Sequence, residues 1–218
     1  MVILNEETDP LSGAPTVSFS NQAGFKLRYS NQRVTDGGRT FDWGSYWLQA
    51  TQRRQYEKLV FAPGESPTGC FNLFRGFGVE AKKGGCELFK AHMREVICSA
   101  NDEFFRYVFR WAAHLFQKPA ELPGVALVLR SGEGTGKNWF AATLGKLVGQ
   151  AHYVQLNSMI QLTGRFNGHL RDALLVFANE ATWGGDKTAE GALKAMITDP
   201  DSTVEMKGRD ACGYSQYS

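Results

Sequence analysis

The chain has 218 residues, with 24 Lys and Arg against 22 Asp and Glu and a net charge of +2. This length can bury a sizeable core, and a content of 43% hydrophobic and 21% charged residues excludes a disordered or fibrous protein. Because the charge is nearly balanced, any contact with nucleic acid must depend on local basic residues.

The sequence gives no sign of secretion, membrane insertion or a metal framework. The longest apolar runs have about six residues, far fewer than the roughly 20 that span a bilayer. Cys70, Cys86, Cys98 and Cys212 lack paired C-x-x-C spacing, and the Cys86–His92–Cys98 run matches no common zinc spacing. We therefore expect a cytoplasmic protein with reduced thiols and no membrane partner.

The first 40 residues are rich in polar residues and are expected to form a loosely ordered lead-in. Within them, alternation over Val17–Ser20 and Phe25–Tyr29 predicts two short strands. Aromatic residues return from Phe41, and we expect a smaller, mainly helical domain over 41–121.

Two helices are predicted in that domain, over Glu87–Cys98 and Phe104–Gln117. Asn101 and Asp102 are capping candidates for the second helix. This helix is apolar on most sides, so we expect it to be buried, with its aromatic residues in the core rather than stacked on bases.

Residues 122–218 alternate between strand and helix patterns. Val125–Leu129 and Ala173–Ala178 are continuous apolar runs typical of buried parallel strands. Helical spacing follows over Phe140–Val148, which Gly149 would cap, and over Thr188–Ile197. Because the glycine-rich segment Ser131–Asn138 lies between the first strand and its helix, the fold class predicted is α/β, with a P-loop ATPase core on a parallel sheet.

A glycine-rich loop separates the first of these strands from the helix that follows it. Glycines at alternate positions let successive N–H groups turn toward a polyphosphate at the helix N-terminus, and Lys137 would reach the β- and γ-phosphates. An ordinary glycine-rich turn is the alternative. The predicted ATP-binding residues are Gly132, Glu133, Gly134, Thr135, Gly136, Lys137 and Asn138.

The loop departs from the usual phosphate-binding pattern at two positions. Ser131 replaces the first glycine, and Asn138 replaces the Ser or Thr whose hydroxyl binds magnesium. An amide oxygen can still bind Mg²⁺, although the longer side chain must approach the ion differently. We expect weakened magnesium binding at Asn138.

A second candidate site follows the Ala173–Ala178 run, at Asn179 and Glu180. Open α/β sheets bind ligands at the carboxyl ends of their strands. In a Walker B element one group holds magnesium and the next polarises the attacking water, so Asn179 would take the first role and Glu180 the second. Alternatively, Glu180 caps the following turn.

Several blocks occur in a fixed order along residues 41–210. They are Phe71–Phe77, Arg110–Ala113 with Gln117–Pro119, Gly132–Asn138, Leu162–Leu170, Leu175–Ala181, Leu193-Lys194 with Ile197-Thr198, and Glu205–Gly208. In this order they resemble the helicase-like domain of bacteriophage primase-polymerases, a branch related to viral superfamily 3 helicases and poxvirus-type primase-helicases.

The resemblance implies a DNA-replication ATPase that forms a ring, commonly a hexamer, translocates on single-stranded DNA and unwinds duplexes. A primase-polymerase domain or protein is the implied partner. Lys194 and Lys207 are DNA-contact candidates, although solvated surface charge explains them equally well. Arg165, Asn167 and His169 would couple the nucleotide site to DNA or to a neighbouring subunit, or simply stabilise a loop.

In this family a sensor residue and an arginine finger follow the Glu205–Gly208 block, whereas the sequence ends at Ser218. We therefore expect a C-terminally incomplete ATPase that binds ATP and hydrolyses it weakly alone. The alternatives are a non-catalytic nucleotide- or DNA-binding assembly module, which the two Asn replacements favour, and a P-loop phosphotransferase, for which no arginine-rich lid is found.

Overall fold

A computed structural model of the chain describes residues 2–10, 13–164, 168–179, 187–198, 201–204 and 212–215. The chain divides into two compact units, Met1–Glu57 and Lys58–Ser218. In the described part of the chain the strands form five two-stranded sheets, two of them parallel, so the fold is mixed α/β. None of the helices described there is long and apolar enough to cross a bilayer.

The first unit contains two strand pairs and two short helices. Its elements are β1 (Ile3–Thr8), β2 (Pro15–Ser20), α1 (Gln22–Arg28), β3 (Arg33–Asp36), β4 (Arg39–Asp42) and α2 (Trp43–Gln49). Both pairs are antiparallel. Gly37 and Gly38 join β3 to β4 at φ values of 54° and 77°, the left-handed conformation of a tight hairpin turn. The segment expected to be loosely ordered thus has defined secondary structure.

An aromatic cluster holds the two helices of this unit together. The Phe25 ring lies 4.9 Å from Tyr29 and 5.0 Å from Trp47, and Tyr29 lies 4.7 Å from Trp43, measured between ring centroids. The strand predicted over Phe25–Tyr29 was wrong, because Asn21 caps α1 by accepting the Gly24 N–H at 2.8 Å. Val17–Ser20 does lie in a strand, as predicted.

The second unit begins at Lys58 and contains the predicted nucleotide loop. Its elements are β5 (Lys58–Val60), β6 (Cys70–Asn72), α3 (Glu87–His92) followed by a π-helical turn (Met93–Ile97), α4 (Asp102–Gln117), α5 (Lys137–Val148), β7 (Tyr153–Leu156), α6 (Met159–Thr163), a 3₁₀ turn (Gly168–Leu170), β8 (Leu175–Ala178), α7 (Lys187–Thr198), β9 (Asp201–Val204) and β10 (Cys212–Ser215).

One hydrophobic core joins α4, α5, β8 and the π-helical turn. Its buried members are Met93, Cys98, Val108, Ala112, Phe140, Leu144, Val148 and Leu175. The domain boundary predicted between residues 121 and 122 therefore runs through a single core, whereas the observed division lies between Glu57 and Lys58.

The helices predicted around this core are present. Phe140–Val148 lies within α5, and Gly149 follows it with a φ of 98°. Asn101 caps α4 by accepting the N–H groups of Glu103 and Phe104. However, Phe104, Tyr107 and Phe109 are exposed, so α4 is buried along one stripe instead of on most sides.

One of the two parallel strand pairs is β7 and β8, with Tyr153 opposite Leu175 and Leu156 opposite Ala178. Ala173–Ala178 was correctly predicted as a strand, although the strand begins at Leu175. The strand predicted over Val125–Leu129 is not formed. Only alternate residues of this segment, Leu127 and Leu129, pack against the core, while Val128 is 89% exposed, so the segment is not buried on both faces.

β5 and β6 form the other parallel pair, and the Phe71–Phe77 block, which begins in β6, connects this pair to the C-terminal end of α5. Gly78, which follows the block, donates its N–H to the carbonyl oxygens of Leu147 and Val148 at 3.0 and 3.1 Å. A Cβ atom at Gly78 would lie 2.6 Å from both the Gly149 Cα and the Lys146 carbonyl oxygen. Only glycine permits this backbone approach.

His152 links the same block to the start of β8. Its Nε2 accepts the Arg75 backbone N–H at 2.8 Å, and its Nδ1 lies 2.7 Å from the Asp172 carbonyl oxygen, which must accept a proton from the ring. The Phe74 ring stacks on the imidazole at 5.1 Å. Burial lowers the pKa of His152, and the hydrogen bond to Asp172 offsets this only in part.

Gly78→Ala is expected to destabilise the protein by about 1–3 kcal/mol, because backbone atoms must move to admit the methyl group. Gly84→Ala is the matched control, since its Cβ would meet no atom within 4 Å. Urea unfolding of both variants measures the difference. Equal stabilities would contradict the close approach of Gly78 to α5.

His152 should make stability depend on pH below neutrality. The unfolded chain takes up a proton at the ordinary histidine pKa of about 6.5, whereas the folded protein resists it. Stability should therefore fall as pH drops below about 6.5, by up to about 1.4 kcal/mol per pH unit. Urea unfolding at pH 7.5 and 5.5 should show a smaller difference for His152→Gln than for wild type or for the exposed-site control His169→Gln.

Candidate functional site

The predicted phosphate loop lies directly before α5, the central helix of the core. Gly134 and Gly136 have φ values of 71° and 84°, which side-chain-bearing residues rarely adopt. The first backbone hydrogen bond of α5 runs from the Phe140 N–H to the Gly136 carbonyl at 3.0 Å. The N–H groups of residues 137–139 precede this bond and point out of the helix end, as an anion site requires.

Lys137 folds back into the loop. Its Nζ donates to the Gly132 carbonyl at 2.8 Å, the Ser131 carbonyl at 3.2 Å, the Ser131 Oγ at 2.6 Å and the Thr135 Oγ1 at 3.3 Å. The loop oxygens thus bind the ammonium group in the way that phosphate oxygens can. A bound polyphosphate must compete with them for this cation.

Ser131, which replaces a glycine of the usual pattern, takes a direct part in this arrangement. Its hydroxyl contacts Lys137 and also lies 2.5 Å from the Thr135 Oγ1. A glycine supplies no such hydroxyl. Ser131 therefore strengthens the hold of the loop on the lysine. Asn138, the predicted magnesium ligand, is exposed on the first turn of α5.

Two aromatic side chains that the sequence reasoning missed lie beside the loop. His92, the last residue of α3, places Nε2 3.4 Å from the Gly136 carbonyl oxygen, and its ring lies 4.5 Å from that of Trp139. A Cβ atom at Gly136 would lie 2.4 Å from His92 Cε1, so a side chain here would have to displace the His92 ring, and the φ of 84° itself favours glycine. His92 and Gly136 are 44 residues apart in the chain, so no local sequence pattern reveals their contact. The glycine at position 136 is the sequence feature that reflects it.

The second predicted site is described in part. Asn179 follows β8, and its N–H donates to the Leu156 carbonyl at 2.8 Å, which extends the parallel pairing by one bond. It therefore lies at the carboxyl end of the β7–β8 pair, where the sequence placed it. Glu180 lies outside the described residues, so its catalytic role stays a prediction, as does the magnesium role of Asn179.

The candidates for DNA contact and for coupling also lie partly inside and partly outside the described residues. Lys194 lies on α7 and is exposed, and it pairs with Glu190 at 2.8 Å across one helical turn. This carboxylate raises the pKa of Lys194 and keeps it charged. His169 lies exposed in the 3₁₀ turn. Lys207, Arg165 and Asn167 lie outside the described residues.

A zinc site at Cys86, His92 and Cys98 gains no support. Across the described ranges, no group of three or more His, Cys, Asp or Glu side chains is placed to hold a metal ion. Cys98 is buried, and burial raises the pKa of its thiol, which disfavours the thiolate that zinc binds.

Comparisons with known proteins give one family match and a shared fold. Residues 129–218 match a family described as a family of unknown function (DUF5906), and no curated protein matches the chain. An apo structure of the NrS-1 C-terminal region has a TM-score of 0.71 and 18% identity, over 98% of this chain and 52% of that one. A second, the A-form apo structure of that region, has a TM-score of 0.70, also at 18% identity, with the same coverage.

This chain therefore spans about half the length of the NrS-1 structures that it matches. At this identity the likeness shows a common fold. The fold of the chain is that of part of the NrS-1 C-terminal region, and the family match begins just before the glycine-rich loop.

Ser131→Ala should tighten binding of inorganic triphosphate about threefold to tenfold, because the loop loses one of the oxygens that compete for Lys137. Ser131→Thr keeps a hydroxyl and is the control. Titration calorimetry measures both affinities, and a weaker affinity in the Ala variant would show that the hydroxyl assists the phosphate instead.

Proposed function

We propose that this chain is the ATP-binding module of a phage-type replicative DNA helicase. The observation that carries the proposal is the cradle of Lys137 at the N-terminus of the buried helix α5. The ordered family blocks around this cradle support the helicase reading. The fold that the chain shares with part of the NrS-1 C-terminal region is compatible with this proposal.

In this proposal, ATP enters as its magnesium complex and its phosphates displace the loop oxygens from Lys137. The N–H groups at the start of α5 then bind phosphate oxygens, and the ammonium neutralises charge on the β- and γ-phosphates. Asn138 and Asn179 supply amide oxygens for Mg²⁺. Glu180 accepts a proton from the water that attacks the γ-phosphate, the bond between the β- and γ-phosphates breaks, and ADP is the leaving group.

The proposed assembly is a homo-oligomeric ring, hexameric when complete, around single-stranded DNA. Lys194 and Lys207 contact the DNA backbone, and a primase-polymerase domain or protein acts on the exposed strand. Lys194 is exposed on α7, so replacing its ion pair with Glu190 by one with a DNA phosphate costs little free energy.

A second function, non-catalytic assembly, is favoured by one specific feature. Asn138 stands where a magnesium-dependent ATPase usually has a hydroxyl, and Asn179 is neutral where such an ATPase usually has a carboxylate. A chain with this function binds nucleotide to fix its shape and leaves turnover to a partner. The two functions differ in whether DNA stimulates hydrolysis.

Phosphate release from ATP, measured with and without single-stranded DNA, distinguishes them. For a helicase module we expect DNA-stimulated turnover that Lys137→Ala reduces at least about 100-fold, because the cation on the transferred phosphate is lost. Lys146→Ala is the matched control, since this exposed lysine lies in the last turn of the same helix.

Nucleotide binding without turnover in the wild-type chain would favour the assembly function. Measurable turnover in the wild type that Lys137→Ala leaves unchanged would contradict both, because each assigns the phosphates to this loop.

A further inference from the structure

An aromatic shelf, formed by Phe89, His92 and Trp139, lies beside the phosphate loop. The His92 ring meets Trp139 edge to face at 4.5 Å, and Phe89 lies 5.9 Å from Trp139, measured between ring centroids. His92 also contacts Gly136, the last residue of the loop. The aromatic shelf is therefore adjacent to the C-terminal end of the phosphate loop.

The indole of Trp139 is 49% exposed, which core packing does not explain. Its neighbour Phe140 is buried and forms part of the core, and Phe89 stacks on it with an interplanar angle of 12°. Trp139 instead leaves about half of its surface open to solvent, while its contacts with the other two rings hold it in place. An exposed and braced aromatic face is the surface on which a nucleobase stacks.

The position of Trp139 on α5 fits the shape of a nucleotide. Lys137 and Trp139 are two residues apart in the first turn, so they leave the helix about 200° apart. A nucleoside triphosphate lying across the helix end can reach Lys137 with its terminal phosphates and Trp139 with its base. Helical side chains also tilt toward the N-terminus, which brings the indole toward the loop.

We propose that Trp139 is the base-stacking residue of the nucleotide site, and that the shelf distinguishes a nucleoside triphosphate from a bare polyphosphate. This inference rests on the proposed nucleotide-binding function and assigns its base-recognition surface. Stacking uses the π-face that every base has, so the shelf favours purines for their larger area without excluding pyrimidines.

The test is titration calorimetry with ATP and with inorganic triphosphate, which has the phosphates and no base. We expect Trp139→Ala to weaken ATP binding about tenfold or more and to leave triphosphate binding unchanged. Trp139→Phe should keep most of the ATP affinity. Tyr107→Ala, which removes an exposed aromatic residue from α4, is the matched control and should alter neither affinity.

Unchanged ATP affinity in Trp139→Ala, or an equal loss for both ligands, would overturn the shelf while leaving the phosphate loop intact. Failure of the wild-type chain to bind either ligand would overturn the nucleotide site itself, and the shelf with it. A loss of oligonucleotide binding without a loss of ATP binding would assign the indole to a DNA base and contradict the proposal.

Discussion

The burial of helix α5 is the constraint on which the second unit depends. Its apolar face packs against α4, the π-helical turn and β8, and both of its ends are fixed where a glycine meets another part of the chain. Gly136 contacts His92 at one end, and Gly149 contacts Gly78 at the other. The position of the phosphate loop therefore follows from core packing, because the loop enters a helix that cannot shift without opening this core.

Oxygens of the loop itself compete with a bound phosphate for the ammonium group of Lys137. The carbonyl groups of Ser131 and Gly132 hold the ammonium of Lys137, and the Ser131 hydroxyl adds a further oxygen. Nucleotide binding is an exchange of these oxygens for phosphate oxygens, so affinity depends on the difference between two sets of charge-assisted hydrogen bonds. Stacking of a base on the aromatic shelf would add to the binding free energy of a nucleotide, and a polyphosphate without a base lacks this term.

Local patterns predicted α5, α7 and most of β8, because the two helices show helical periodicity and the strand lies in a continuous apolar run. Tertiary contacts decided the rest. Val125–Leu129 packs only alternate residues on the core. β7 has the polar Gln155 among its four residues and so lacks the continuous apolar run that predicted β8, and the capping residue Asn21 directs Phe25 into a helix. The positions of His92 and His152 depend on contacts with residues at least 20 positions away in the chain, and a single sequence does not reveal such contacts.

The most direct test of the account is a crystal structure of the chain with magnesium and a non-hydrolysable ATP analogue. We predict phosphates within the loop over 131–136, with the Lys137 Nζ moved from the Ser131 and Gly132 oxygens to the β- and γ-phosphates. An analogue bound elsewhere, or Lys137 still held by the loop carbonyls beside a bound nucleotide, would contradict it.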